Sequence, residues 1–294
     1  MYNQIDANKR KTVLLIVIFV AFIVFLGWLF GYLYNFGYAG LVVAAMISMI
    51  MSLFGYYRGD SVALWSSGAK PISATDNPYV YRMVENLCIT AGLPMPKVHI
   101  IADTAINAFA CGRDPAHASI AITEGAINQL ENEELEGVIA HELSHIKNYD
   151  IRLMTIVIIL VGIIALLTDF MLRARWYGGG RRSGNSQGGG ILMLVGIILL
   201  ILSPLIANLI KLAVSRKREY LADASGALLT RYPEGLARAL EKIARQNQPL
   251  QRASAATAHL FIANPFSGGK KFLGNAFATH PPIEERIKLL RGMA

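Results

Sequence analysis

The sequence predicts a mainly α-helical protein that crosses a membrane several times and carries a small β-sheet outside it. The chain has 294 residues, of which 54% are hydrophobic and 16% are charged. This composition is too apolar for an ordinary soluble domain of that length. The apolar residues are grouped into long runs, and the segment between two of these runs has the mixed pattern of a globular domain.

Four apolar runs approach or exceed the roughly 20 residues that a membrane-spanning helix needs. We expect spans at about 12–34, 38–57, 151–172 and 191–214. The first run is too long for a signal peptide and has no small-residue cleavage site, so it is interpreted as an anchor. For the last two runs, a buried hairpin inside a soluble domain is the alternative, although their length favours the bilayer.

Lysine and arginine residues flank the predicted spans unevenly. If the N-terminus is cytoplasmic, ten of them lie next to the spans on that side, and four lie in the loop 173–190 on the other side. The positive-inside rule therefore favours a cytoplasmic N-terminus, with the loop arginines as evidence against it. The basic residues next to the predicted spans account for the net charge of +8, so a nucleic-acid partner is not expected.

A globular pattern fills the segment between the second and third runs. Asn77 predicts the start of a helix, and Gly92 predicts its end. A second helix is expected from about residue 132, with glutamates in its first turn. Between the two helices the pattern predicts strands at about 97–102, 107–112 and 119–125.

The sequence HELSH, 141–145, lies on the second of these helices. Residues four apart share one face of a helix, so His141 and His145 can both direct a ring nitrogen to one metal ion, with Glu142 beside it. Two imidazoles and an adjacent carboxylate are typical of a catalytic zinc site, in which the carboxylate acts as a general base.

A catalytic zinc ion needs a third protein ligand and an open position. The candidates are His259, His280 and the acidic residues of KREYLAD, 217–223. We favour Glu219, because it is predicted to lie on a helix next to a span, as the two histidines do. Asp223 follows one turn later, where it can accept a hydrogen bond from a ligand imidazole.

HELSH followed by EYLAD in a four-span chain resembles the HtpX membrane-bound zinc metallopeptidases, relatives of the CAAX prenyl endopeptidases. The similarity covers nearly the whole chain and includes INAFACG, 106–112, and THPPIEERI, 279–287. It implies a zincin-like (gluzincin) catalytic domain with one Zn²⁺ per chain. The residues that it assigns to the site are His141, His145, Glu219, Glu142, Asp223, His280 and Arg286.

In this resemblance the first three residues bind zinc, Glu142 is the general base and Asp223 supports a ligand. Arg286 and His280 lie near the site; from its own sequence context, His280 is equally compatible with capping the helix that follows it. Substrate is expected to lie extended beside a strand, where main-chain hydrogen bonds are independent of sequence. The candidate residues are Asn107, Ala108 and Phe109, although the pattern alone fits a core strand equally well.

The resulting hypothesis is a zinc endopeptidase that degrades misfolded or damaged proteins of the bacterial cytoplasmic membrane, with its active site on the cytoplasmic side. Its expected parts are a transmembrane hairpin, the first part of a catalytic domain, a second hairpin and the second part of that domain, at 1–58, 59–150, 151–214 and 215–294. Oligomeric state and physiological substrates are not predicted, and segment 248–280 either covers the cleft or contacts the membrane.

Two alternatives belong to other functional classes. One is an intramembrane zinc protease, but ENEELEG, 131–137, just before the zinc motif, is too polar for lipid. The other is a noncatalytic membrane scaffold that holds a structural zinc ion. Structural zinc sites usually have four protein ligands, and the sequence offers three together with a candidate base.

Overall fold

The computed structural model describes residues 2–33, 37–163, 216–246, 248–254, 256–266 and 281–293. The predicted fourth span, the end of the third span, the loop between them and His280 lie outside the described residues. The described part is mostly helical and contains one small mixed sheet, as the sequence predicts.

Helices α1, Tyr2–Leu33, and α2, Ala39–Ser67, pack closely against each other. A Cβ atom on Gly40 would lie 2.6 Å from the carbonyl oxygen of Gly27. The two helices can approach this closely because Gly27 and Gly40 have no side chains. Both helices are long and apolar enough to cross a membrane. Their outward residues are large and apolar, as lipid contact requires; examples are Val17, Val43 and Ile50.

Helix α2 continues beyond the predicted end of its span at residue 57. Ala63 and Ser67 are buried against the globular part, and Gly68 then ends the helix with φ of 71°. The expected domain boundary at residue 58 therefore falls inside α2, so one continuous helix extends from the apolar hairpin into the globular part.

The sheet has the strand order β1-β2-β4-β3. β2, Lys97–Ile101, runs parallel to β4, Ala118–Thr123, and antiparallel to β1, Lys70–Pro71. β3, Ala108–Gly112, pairs antiparallel with β4 and is an outer strand within the described residues. The three predicted strands are confirmed, and the two-residue strand β1 is an addition.

Capping residues set the limits of the first helix beside the sheet. Helix α3, Pro78–Ala91, begins at Asn77, whose side chain accepts a hydrogen bond from the Val80 N–H, and ends at Gly92 as predicted. The other α-helices in the part of the chain that the structure describes are α4, Glu124–Gln129; α5, Asn132–Lys147; α6, at 150–163; α7, Arg216–Thr230; α8, Pro233–Gln246; and α9, Ile283–Arg291.

Helix α5 lies at the centre of this arrangement and contacts β3, α7 and α8. Its apolar stripe of Leu135, Val138, Ile139 and Ile146 is buried, as its periodicity predicts. The helix therefore has a fixed position relative to the sheet and to α7, which carries the third predicted ligand.

A turn separates the zinc-motif helix from the third predicted span. Helix α5 ends at Lys147, Tyr149 has a left-handed φ of 59°, and α6 begins at residue 150. Residues of α6 such as Leu153 and Val157 are fully buried among the other helices. The fourth predicted span lies outside the described residues, so the soluble-hairpin alternative stays untested.

Candidate metal centre

Three predicted ligands converge between α5 and α7. The Nε2 atoms of His141 and His145 lie 3.2 Å apart. The carboxylate of Glu219 lies 3.9 Å from the Nε2 atom of His141 and 3.6 Å from that of His145. One ligand atom from each residue lies within 4.8 Å of the others, and all three side chains are buried. Among the residues that the structure describes, this is the group of His, Cys, Asp and Glu able to hold a metal ion.

The packing of α7 on α5 brings Glu219 to the two histidines. Gly226 of α7 faces the backbone of α5, where an added Cβ atom would lie 3.0 Å from the backbone nitrogen of His141. Glu219 and Asp223 lie seven and three residues before Gly226, so all three share the face of α7 that contacts α5. A small residue at the crossing point thus permits the approach of the ligand helices.

Asp223 lies against the His141 ring, and its predicted supporting role stays a prediction. The Nδ1 atom of His141 lies 2.9 Å from Oδ1 of Asp223. Arg286 is fully buried and donates to both oxygens of Asp223, at 2.8 and 2.7 Å, and to the Ile262 carbonyl at 3.1 Å. Burial alone would raise the pKa of Asp223, but the Arg286 guanidinium and the His141 ring lower it to about 2. Asp223 is therefore a charged acceptor at neutral pH.

Asp150 makes the corresponding contact with His145. Its Oδ2 atom lies 3.0 Å from Nδ1 of His145, and its side chain is buried. A carboxylate can only accept from the imidazole, so in a metal-bound site each Nδ1 would carry the proton and each Nε2 would present its lone pair to the metal. The donor set and the carboxylates beside the two Nδ1 atoms fit a zinc site of two histidines and one glutamate.

Glu142 lies beside the ligands and is almost completely buried. Burial raises its pKa to about 7, with a further increase from Glu219, against the opposing effects of His145, Arg286 and a backbone hydrogen bond from Ala110. A carboxyl group with a pKa near neutrality is suited to accept a proton and to return it. The Ala110 contact also places Glu142 next to the outer strand β3.

The predicted substrate-binding residues lie on or next to β3, and their side chains are buried. Asn107 donates to the Ala263 carbonyl at 3.2 Å, and the Ala108 carbonyl accepts from Ile262 N–H at 3.0 Å. The Phe109 ring packs edge-on against Phe261, with ring centroids 5.1 Å apart. Segment 258–263 therefore contacts the outer side of β3 in this structure, and the substrate role of these residues stays a prediction.

The two alternative third ligands have different outcomes. His259 is buried with its Nε2 atom 3.0 Å from the Met154 carbonyl, and it is not part of the ligand group. His280 lies outside the described residues. Glu219 is thus the candidate that the structure brings to His141 and His145.

Comparison with known proteins gives the family. The model of peptidase family M48 matches residues 74–294. The chain belongs to peptidase family M48. It is 46% identical over 296 residues to "Protease HtpX homolog" of Thermoanaerobacter pseudethanolicus, covering 100% of this chain and 98% of the relative. The HtpX homologue of Tropheryma whipplei (strain Twist) is 46% identical over 293 residues, with 100% and 98% covered.

A solved structure supports the fold of this M48 protein. Ste24p of S. mikatae aligns with a TM-score of 0.52 and 18% identity, covering 99% of this chain and 67% of that chain. The predicted relationship to the HtpX peptidases is confirmed. Family membership, the apolar helices and the ligand group together describe a membrane-associated metalloprotease.

Sequence reasoning missed one residue of this M48 site, Asp150. It lies five residues after His145, which on a continuous helix is about 140° around the axis from it. It also stands directly before the apolar run that begins at residue 151, and it belongs to none of the predicted motifs. Only the turn at Tyr149 brings its carboxylate to the imidazole.

Proposed function

We propose that this M48 protein is a zinc-dependent endopeptidase of the bacterial cytoplasmic membrane. The observation that carries the proposal is the convergence of His141, His145 and Glu219 with Glu142 held beside them. In this proposal the two Nε2 atoms and the Glu219 carboxylate hold one zinc ion. The bound ion would supply Lewis acidity, which polarises the scissile carbonyl and makes an attacking water more acidic.

Glu142 carries the proton transfers. Its carboxylate accepts the proton of the attacking water and then delivers it to the leaving amide nitrogen. In the metal-free protein, burial raises the pKa of Glu142, which makes its carboxylate a stronger base. On the family resemblance alone, His280 is the proposed donor to the developing oxyanion. Asp223 and Arg286 keep the His141 ring in the tautomer and orientation that the reaction needs.

The proposed substrates are misfolded or damaged membrane proteins, bound in extended form along β3. The supporting observations are the position of Glu142 next to the Ala110 backbone and the outer place of β3 in the sheet. Main-chain recognition along a strand accepts many sequences, as a quality-control protease requires. Segment 258–263 now contacts this edge of β3. It would have to move away from part of the edge so that substrate can bind beside Asn107, Ala108 and Phe109.

The proposed location is a multi-pass cytoplasmic-membrane protein with its active site on the cytoplasmic side. The supporting observations are the two apolar helices, the uneven distribution of Lys and Arg, and relatives that are HtpX proteases of bacteria. An intramembrane protease is less compatible, because α5 packs on a β-sheet and begins with a polar turn at 131–134.

The test compares Glu142→Gln with the wild-type protein and with Glu136→Gln, a control on the same helix. Zinc content is measured by atomic absorption, and casein cleavage is measured in detergent with and without a chelator. We expect Glu142→Gln to retain zinc and to lose activity by roughly 10²–10⁴-fold or more, since both proton transfers use this group. Glu136→Gln should resemble the wild-type protein. Substantial cleavage by zinc-loaded Glu142→Gln protein would remove the base assignment.

A further inference from the structure

We propose that Asn8 and Asp150 are positioning residues through which the N-terminal membrane helix α1 fixes the metal ligand His145. The inference rests on the proposed zinc site, and it assigns α1 a role in the site beyond that of an anchor. The chain of contacts has two links: Asn8 donates to Asp150 at 2.7 Å, and Asp150 accepts from His145 at 3.0 Å.

Asp150 is the point at which three parts of the chain meet. Its Oδ2 atom faces His145 of α5, and its Oδ1 atom faces Asn8 of α1. The Arg218 guanidinium, one residue before Glu219 on α7, lies 3.6 Å from the same Oδ1 atom. All of these side chains are buried. A buried carboxylate with partners on both oxygens has a fixed orientation, and it transmits that orientation to the imidazole.

The arrangement around His145 repeats the one around His141. In both, the Nδ1 atom lies about 3 Å from a buried aspartate, at 2.9 Å for Asp223 and 3.0 Å for Asp150. In both, a second side chain donates to that aspartate. For Asp223 this donor is Arg286, from the C-terminal part of the chain, whereas for Asp150 it is Asn8, from the first membrane helix.

Asn8 is well suited to this contact. Its amide nitrogen has two N–H groups, and both are used at the α5–α6 junction, one on the Asp150 carboxylate and one on the Asn148 carbonyl at 3.0 Å. The side chain is neutral, so burying it costs less than burying a lysine at the same place. The neighbouring Lys9 lies 4.7 Å from the centre of the Tyr149 ring and adds a second contact with the same junction.

The expected consequence is a loss of zinc affinity from a change in α1, far along the chain from the ligands. The test uses full-length protein in detergent and measures the zinc dissociation constant by chelator competition. Asp150→Ala should weaken zinc binding by about 10–100-fold, as loss of a ligand's hydrogen-bond partner does. Asn8→Ala should weaken it by about fivefold, the value of one hydrogen bond of modest strength. Thr12→Val is the matched control on α1, because Thr12 is equally buried and its hydroxyl bonds, within the described residues, to the Asn8 carbonyl.

Two further measurements separate positioning from general loss of structure. Asn8→Ala introduced into the Asp150→Ala protein should cause little additional loss of affinity, because Asn8 acts through Asp150. Cobalt substitution should give an altered visible spectrum in both single variants and an unchanged one in Thr12→Val. If Asp150→Ala does not fold, Asp150→Asn, which keeps the size and one acceptor, replaces it and should show a smaller loss of affinity.

The outcomes are distinguishable. If the wild-type protein binds zinc and Asp150→Ala binds it equally well, the positioning role is wrong while the proposed function stands. If Asn8→Ala and Thr12→Val weaken zinc binding equally, or if Asn8→Ala has the same effect with and without Asp150, the link through α1 is wrong. A wild-type protein that binds no zinc would overturn the proposed function, and this inference with it.

Discussion

Replacing Gly226 with alanine should separate the two helices that carry the metal ligands. An added Cβ atom would lie 3.0 Å from the backbone nitrogen of His141 and 3.3 Å from both the His141 Cα and the Ala140 carbonyl carbon. These neighbours are backbone atoms of a buried helix, and they cannot rotate away as a side chain can. The helices must therefore move apart by a few tenths of an ångström, and overpacking of this kind costs about 1–3 kcal/mol.

This displacement acts directly on the ligands. Asp223 lies one turn before Gly226, and Glu219 lies seven residues before it, which is about 10.5 Å along the helix at about 1.5 Å per residue. Moving α7 away lengthens the 2.9 Å contact between Asp223 and His141 and withdraws Glu219 from both imidazoles. Sites of this kind tolerate only about 0.5 Å of misplacement, so we expect zinc affinity to fall by roughly tenfold.

Zinc affinity is the informative measurement, because two effects on stability oppose each other. Alanine is favoured over glycine inside a helix by about 1 kcal/mol, which offsets part of the overpacking. Gly292→Ala is the control, since its Cβ atom would lie 3.4 Å from the nearest neighbour, an ordinary contact. The assay is chelator competition combined with thermal unfolding of both variants. A Gly226→Ala protein with wild-type zinc affinity would refute the close-approach argument.

The remaining predictions concern the third ligand and the base. Glu219→Ala should release zinc, whereas His259→Ala should retain it, because His259 contacts the Met154 carbonyl instead of the ligand group; zinc content of the purified variants decides this, and a zinc-free His259→Ala protein with a normal thermal unfolding profile would contradict it. In metal-free protein, burial raises the pKa of Glu142 from 4.5 to about 7, so its neutral form stabilises the fold at low pH and this contribution is lost as pH rises from about 4.5 to 7. The thermal midpoint of wild-type protein should therefore fall relative to that of Glu142→Gln over this interval, and parallel pH profiles would contradict the prediction.

Local signals made part of the fold predictable from the sequence. The limits of α3 follow from Asn77 and Gly92, and the buried stripe of α5 follows from its periodicity. The continuation of α2 to Ser67 was not predictable from hydropathy. Hydropathy detects the apolar length that lipid requires, and it does not detect a more polar extension that packs on a sheet. Strand β1 has two residues, too few for any alternation to be recognised.

The residues of the candidate site were likewise predictable in part. His141, Glu142 and His145 belong to one helical turn, so their spacing alone indicates a shared chemistry. Glu219 is 74 residues beyond His145 in the chain, and it was favoured through its predicted position next to a span and through the family resemblance. Asp150 carries no pattern at all, since its contact with His145 exists only because the backbone turns between them.

This turn joins the apolar helix α1 to the candidate metal site. On an unbroken helix Asp150 would point away from His145, and the ligand would have no carboxylate partner. The left-handed conformation of Tyr149 costs about 1–2 kcal/mol for a residue with a side chain, so contacts at the junction must offset it. Those contacts include two from α1, in which Asn8 donates to the Asn148 carbonyl and to the Asp150 carboxylate. On the proposed zinc site, the turn between HELSH and the third apolar run supplies the carboxylate partner of a ligand, and the apolar helix α1 contacts that turn through Asn8.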